Sequence, residues 1–223
     1  NSEKDTDLPH MLPKQKTWEK IMSSLGINNN DDILIYDNSD LKSSCRLWFS
    51  LLYFGHDEKK IHILNGGLKK WIFENKPITK LTTEIIKSNY VTNEKENLVV
   101  SFDQIKKNIL SKSFNVIDAR SLERFEGKVS EPRKGLRSGH IQNSFCLPFN
   151  LCINQKTGEF KNLEELRELF NQNENIEKRL DQVFTCGSGV TAAVLAYAYK
   201  MVNNDYIPKI YDGSWSEYGK YPA

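Results

Sequence analysis

The sequence predicts an α/β protein built from two related units, each a parallel sheet covered by helices. Residues 31–55 and 180–201 share one pattern, in which a short buried strand is followed by a tight loop and a helix. The strand segments are rich in β-branched and aromatic residues, as central parallel strands are. After each loop, apolar residues recur at the spacing of a helix that packs on a sheet. Strands that alternate with helices favour parallel pairing.

The likeness between the two halves continues downstream. "KIHILNGGLKKW" (60–71) and "IPKIYDGSWSEY" (207–218) each contain a β run, a glycine-containing turn and an aromatic residue. In this alignment Asp37 stands opposite Cys186. The second half has the longer stretch before its loop, so we expect the first unit to lack its opening strand and helix.

The division into domains follows from the same comparison. We expect a non-catalytic first unit over residues 1–80, a linker over 81–97 and a catalytic second unit over 98–223. The linker region is polar and is preceded by a proline, as is typical of connecting segments.

Within the second unit, the order of elements can be predicted in more detail. Residues 102–110 have a helical pattern, and "FNVIDAR" (114–120) has a strand pattern. Residues 138–150 predict a loop that leads into a short strand. Residues 162–172 predict an amphipathic helix for which Asn162 is a suitable cap.

Composition excludes several classes of function. With 31 basic and 29 acidic side chains the net charge is +2, which gives no reason to expect nucleic acid or an anionic membrane as a partner. No apolar run is long enough to cross a bilayer, and the first ten residues do not have the pattern of a signal peptide. Four cysteines without regular spacing indicate reduced thiols, and the four histidines form no zinc pattern. We therefore expect a cytoplasmic protein without a metal or cofactor.

The loop "CGSGVTA" (186–192) is the strongest candidate for chemistry. Its glycines allow tight backbone angles, so that successive N–H groups can face one centre. The helix that follows places its positive end beneath the same point, and both effects favour a thiolate on Cys186. The alternative is that Cys186 is a small buried residue, an interpretation that fits Cys45, Cys146 and Cys152 better. A cysteine phosphatase would need an arginine where Ala192 stands.

These residues resemble tandem rhodanese-like sulfurtransferases, and within that family they are most similar to the 3-mercaptopyruvate enzymes. The resemblance covers nearly the whole chain. It depends on these segments: "HMLP" (10–13), "IYDNSD" (35–40), "LNGGLKKW" (64–71), "DARSLERFEGKVSEPRKGLRSGHI" (118–141) and the cysteine loop. It implies two α/β domains, of which only the second carries the catalytic cysteine.

The resemblance also implies a donor. The family's mercaptopyruvate enzymes have the loop Cys-Gly-Ser-Gly, whereas its thiosulfate enzymes carry charged residues after the cysteine. Arg124 and Arg133 match the arginine pair that holds the donor's carboxylate and carbonyl, and guanidinium groups suit such planar oxygens. Ordinary surface ion pairing is the alternative for these two arginines.

The implied reaction moves the sulfur of 3-mercaptopyruvate to Cys186 as a persulfide and then to a thiol acceptor such as thioredoxin or glutathione, releasing pyruvate. Ser188 and His10 match the family's proton-handling serine and histidine, although His10 could be an ordinary surface histidine. The matching aspartate would precede residue 1. The loop residues Gly187, Gly189, Val190 and Thr191 are expected to line the substrate site.

Two other functions stay open from the sequence. The first is a thiosulfate sulfurtransferase with the same nucleophile. The second is a non-catalytic rhodanese module that binds a partner or relays sulfur. The intact cysteine loop favours an enzyme over this binding module.

Overall fold

The computed structural model describes residues 7–172 and 176–222. The ends of the predicted domains, at residues 1 and 223, lie outside this range. The first half contains α1 (Gln15–Ser24), β1 (Ile33–Ile35), α2 (Lys42–Tyr53), β2 (Ile61–Ile63) and α3 (Gly67–Phe73). The second half contains β3 (Val99–Val100), α4 (Phe102–Ser111), β4 (Phe114–Asp118), α5 (Leu122–Phe125), β5 (Ser144–Cys146), α6 (Leu163–Asn171), β6 (Asp181–Thr185), α7 (Val190–Val202), β7 (Lys209–Tyr211) and α8 (Ser214–Tyr218).

The strands form two parallel sheets, as predicted. Among the described residues β1 pairs only with β2, whereas the second sheet has the order β3-β7-β6-β4-β5. Strand β6 therefore lies in the middle of the larger sheet, between β4 and β7. The carboxyl ends of these three strands meet at one edge, so the loops that follow them lie together.

The predicted helices and strands of the second half are present with small shifts at their ends. Helix α6 begins after Asn162, whose side chain accepts from the backbone N–H of Glu165 (2.9 Å). The Glu165 carboxylate accepts in return from the backbone N–H of Asn162 (3.1 Å). This capping box satisfies two backbone donors that the helix cannot pair internally.

Helices α2 and α7 join the two halves through one core. Trp48 of α2 meets Tyr197 of α7 edge to face, with ring centroids 5.0 Å apart. Cys45 and Leu195 are fully buried in the same cluster of apolar side chains. Most of the predicted apolar positions of the two helices are buried, whereas Leu47 and Tyr197 stay half-exposed.

The connection between the halves has no helix or strand from residue 75 to residue 95. Its second part is nevertheless attached to the first half. Tyr90 is buried and its hydroxyl lies 3.1 Å from His56 Nδ1. The backbone N–H groups of Asn93 and Lys95 donate to the carbonyls of Phe54 (3.0 Å) and Tyr53 (2.7 Å). None of the described helices is long and apolar enough for a membrane span.

Candidate active site

Cys186 directly follows the central strand β6 and is 2% exposed. The three residues after it form the turn into α7, so the sulfur lies at the positive end of that helix. The backbone N–H of Ser188 points at Cys186 Sγ across 3.5 Å. Both features stabilise negative charge on the sulfur.

Ser214, which was not predicted as a site residue, supports this loop from inside. Its Oγ accepts from the backbone N–H groups of Cys186 (3.3 Å) and Gly189 (3.0 Å) and donates to the carbonyl of Tyr211 (2.8 Å). Two of the amides that we expected to face the sulfur therefore bind Ser214. The alignment of the two halves places Ser214 opposite Gly67, so a hydroxyl is present in the second half where the first half has no side chain. This difference was the one signal in the sequence that pointed to Ser214.

The loop needs glycine at positions 187 and 189 for two different physical reasons. Gly189 has φ 78°, in the left-handed region, and a Cβ there would lie 2.8 Å from Asp212 Oδ1. Gly187 is not in that region, contrary to our expectation of strained angles. A Cβ at Gly187 would instead lie 3.1 Å from Arg124 Nη2 and 3.6 Å from Arg133 Nη1. Gly187 thus leaves the space that two guanidinium groups occupy beside the cysteine.

Arg124 is held in place by Glu131, a second residue that was not predicted. Arg124 donates from Nε (3.2 Å) and Nη2 (2.6 Å) to the two Glu131 carboxylate oxygens. Glu131 also accepts from Arg120 Nη1 (2.9 Å), and Arg120 pairs with Asp118 (2.7 Å). The Glu131 side chain is 1% exposed and that of Arg120 is 0% exposed. A buried row of alternating charges therefore fixes the position of Arg124.

Ser188 connects the two halves of the site. Its Oγ lies 2.8 Å from His10 Nδ1 and accepts from Arg133 Nη2 (3.3 Å). Burial lowers the pKa of His10 below its usual 6.5, and the nearby charges of Arg133 and Arg46 lower it further. His10 is therefore neutral near pH 7, so that Nδ1 can accept the serine hydroxyl proton.

Arg46 and Asp212, which the sequence did not indicate, connect His10 to the second half of the chain. Arg46 of α2 pairs with Asp212 (2.7 Å) and donates to the carbonyl of His10 (2.7 Å). Asp212 also accepts from the backbone N–H of Leu12 (3.0 Å). No local pattern could reveal this contact, because its members come from opposite ends of the chain.

A cavity of about 520 Å³ opens beside Ser188 at the junction of the halves. Its walls include His10, Arg46 and Val190, the first residue of α7. Thr191 lies in the same helical turn and is half-buried, and none of the contacts above involves its side chain.

The other three cysteines do not share this setting. Burial raises the pKa of Cys45 well above its usual value. Burial likewise raises the pKa of Cys146 and of Cys152 to about 12. Their thiols therefore stay protonated at neutral pH. In the described part of the chain, no cluster of three or more His, Cys, Asp or Glu could hold a metal ion.

The equivalent loop in the first half is closed by its own side chain. The Asp37 carboxylate accepts from the backbone N–H groups of Ser44 (2.7 Å), Ser39 (3.2 Å) and Leu41 (3.2 Å). Burial acts to raise the pKa of Asp37, but the hydrogen bonds from Ser44 and Ser39 outweigh it and lower the pKa. A fixed anion therefore stands where the second half has its cysteine.

Comparison with known proteins identifies the family of the chain. The sequence profile described as a rhodanese-like domain matches residues 4–74 and 101–221. Thiosulfate/3-mercaptopyruvate sulfurtransferase 2 of Arabidopsis thaliana is 38% identical over 99% of the chain and 69% of its own length. The human 3-mercaptopyruvate sulfurtransferase is 33% identical over 97% of the chain and 72% of its own length.

A solved structure matches the fold as well. The crystal structure of SseA from Escherichia coli, described as a 3-mercaptopyruvate sulfotransferase with the rhodanese fold, superposes with a TM-score of 0.83 at 31% identity. The match covers 97% of this chain and 79% of that one. The chain spans between 62% and 75% of the length of the first curated relatives that it matches.

Proposed function

This chain belongs to the rhodanese-like domain family, and from that premise we propose that it transfers the sulfur of 3-mercaptopyruvate through a persulfide on Cys186 to a thiol acceptor, releasing pyruvate. One observation carries the proposal. Two guanidinium groups, of Arg124 and Arg133, converge on Gly187 beside the buried sulfur.

In the donor step, the arginine pair binds the 2-keto acid. A carboxylate beside a carbonyl presents planar oxygens that guanidinium groups match closely. Glu131 already engages the Nε edge of Arg124, so the carboxyl network fixes its direction before the donor arrives. Arg133 pairs with no carboxylate among the described residues, which leaves a net positive charge for an anionic donor.

The bond changes follow from this placement. The Cys186 thiolate attacks the donor sulfur, the bond between that sulfur and its carbon breaks, and the electron pair leaves on the carbon as the enolate of pyruvate. The arginines stabilise the charge that grows on the keto oxygen. Ser188 and neutral His10 take the proton of the donor thiol, and its return to the enolate carbon gives pyruvate and leaves His10 neutral again. Cys186 then carries the sulfur until a thiol acceptor removes it.

The donor choice rests on the space at position 187. Thiosulfate offers no carboxylate and carbonyl for two convergent arginines. A charged side chain at position 187, as in the thiosulfate form of the loop, would displace Arg124, because even a Cβ would lie 3.1 Å from its Nη2. These two facts favour 3-mercaptopyruvate over thiosulfate.

We also propose that the protein works in the cytoplasm. Its four cysteines are all free thiols, which are typical of a reducing compartment.

Steady-state rates with the two donors test this proposal. We expect a higher kcat/KM for 3-mercaptopyruvate, and we expect Arg133→Leu to lower it by about 10- to 100-fold, as the loss of one charge-assisted hydrogen bond does. Intact-mass measurement should show one added sulfur atom on the wild type and none on Cys186→Ser. A higher kcat/KM for thiosulfate would favour the second donor, and no added sulfur with either donor would favour a non-catalytic module.

A further inference from the structure

The cavity beside Ser188 differs in character from the arginine pair. Its volume is about 520 Å³, and much of its wall comes from the apolar side chains of Met11, Leu12, Trp18, Leu47 and Val190. Arg124 and Arg133 do not line it. The wall also carries the hydroxyls of Ser43 and Ser50, so the cysteine loop has a cationic side at Gly187 and, at Ser188, a side that is more apolar than polar.

The one arginine in the cavity wall, Arg46, is not available to an anion. Its Nη1 lies 2.7 Å from Asp212 Oδ1, and its Nη2 donates to the carbonyl of His10 (2.7 Å). Asp212 is buried and balances the arginine's charge. Arg133 reaches only the Ser188 edge of the cavity, so an anionic group placed deeper, beside Leu47 and Trp18, would lose its hydration without gaining a free counter-charge.

Ser188 brings this cavity to the reacting sulfur. Its side chain lines the cavity, while its backbone N–H lies 3.5 Å from Cys186 Sγ. We propose that the cavity is the acceptor site, and that the acceptor is a small uncharged thiol with an apolar body. This proposal rests on the proposed function and adds the class of its second substrate.

The transfer balances without an oxidant. The acceptor sulfur forms a bond to the outer sulfur of the Cys186 persulfide. The bond between that outer sulfur and Sγ breaks, and Cys186 leaves as a thiolate with the electron pair. The acceptor's proton passes to Ser188 and His10, which lie 2.8 Å apart. The product is the persulfide of the acceptor, and the enzyme returns to its starting state when His10 releases the proton to that product or to water.

Shape and charge distinguish this acceptor from the common alternatives. Cys186 is 2% exposed, so a cysteine on a protein surface would have to reach below the surface of this chain to meet its sulfur. Glutathione carries a net negative charge, for which the balanced Arg46 provides no partner. A neutral thiol of the size of a benzyl group meets neither obstacle.

The experiment measures separately the addition of sulfur to Cys186 (loading) and its removal by an acceptor (unloading). Cys186 is loaded with 3-mercaptopyruvate, or with sodium polysulfide if that donor does not react, and the loss of the added sulfur is followed by intact mass at neutral pH. Benzyl mercaptan and 4-(mercaptomethyl)benzoate, which differ by one carboxylate, serve as acceptors, with reduced thioredoxin as the protein alternative. We expect benzyl mercaptan to unload the enzyme about tenfold faster than the benzoate.

Variants show whether the cavity is responsible. Leu47→Trp fills it and should slow unloading by benzyl mercaptan about tenfold while loading stays within about twofold. Leu110→Trp, on an exposed position of α4, is the matched control. Met11→Phe provides a second filling variant, and normal loading shows that either variant is folded.

Several results would overturn the acceptor assignment. Equal rates with the two matched thiols would contradict the charge argument. Unchanged unloading in both filled variants would contradict the location. If thioredoxin unloads the enzyme faster than benzyl mercaptan does, and if Leu47→Trp does not change that rate, the acceptor is a protein. Failure of 3-mercaptopyruvate to load Cys186 contradicts the proposed function alone, because polysulfide loading still tests the cavity.

Discussion

At the scale of single residues, Ser188 could be predicted from its neighbours in the sequence, whereas its partner His10 could not. The cysteine loop, and with it Cys186 and Ser188, could be predicted because glycines and a following helix mark it in one short stretch. His10 could be named only through the family resemblance. Its contact with Ser188, at 2.8 Å, depends on the fold bringing opposite ends of the chain together.

The charge state of His10 gives a prediction at this scale. Burial, Arg133 and Arg46 all lower its pKa, so its imidazole should titrate below pH 6.5, and donor turnover that needs neutral His10 should fall as the pH drops through that lower value. The titration of its ring proton by NMR measures this, with His10→Gln assigning the signal. Arg133→Met should raise the midpoint because it removes a positive charge. A midpoint at or above 6.5 in the wild type would contradict the assigned environment.

At the scale of elements, most strands and helices were predicted, although α1, β3 and α5, for example, were not, and the network behind them was not predictable. Apolar periodicity and the Asn162 cap were sufficient for α6, since both are written in consecutive residues. Glu131 lies in an irregular segment, and nothing in its neighbours shows that it pairs with both Arg120 and Arg124. Its importance comes from burial, which only the folded chain creates.

Glu131→Gln tests that network. The amide keeps the shape but removes the charge between the buried Arg120 and the partly exposed Arg124, so we expect a loss of about 1–3 kcal/mol in unfolding free energy and about a tenfold lower kcat/KM for the donor. Urea unfolding and steady-state kinetics measure the two effects. Glu126→Gln breaks an exposed pair with Lys128 and is the matched control, for which we expect at most about 1 kcal/mol. Equal effects of the two variants would show that the network does not position Arg124.

At the scale of the whole molecule, the sequence predicted two units but not their common core. The repeat indicates where each strand, loop and helix lies within its own half. It does not indicate that α2 packs against α7, because each helix carries apolar residues that a sheet alone could cover. The shared core explains why a residue of the first half, Arg46, reaches the catalytic loop of the second.

Trp48→Ala tests the unity of the molecule. Trp48 is 2% exposed at the junction, so its truncation should lower the unfolding free energy by about 3–5 kcal/mol. We expect urea unfolding to remain a single transition when followed by far-UV circular dichroism and by loss of persulfide formation. Leu110→Ala, at an exposed position, should change little. Two separate transitions, with the second sheet unaffected, would show that the halves fold independently.

The carboxylate of Asp37 has a consequence for stoichiometry. The carboxylate accepts hydrogen bonds from three backbone amides of its own turn, so these amides are not free to bind an incoming anion. The turn aligns in sequence with the cysteine loop of the second half. Of the two aligned turns, only the one in the second half presents a thiol. We therefore expect each polypeptide to accept one transferable sulfur atom.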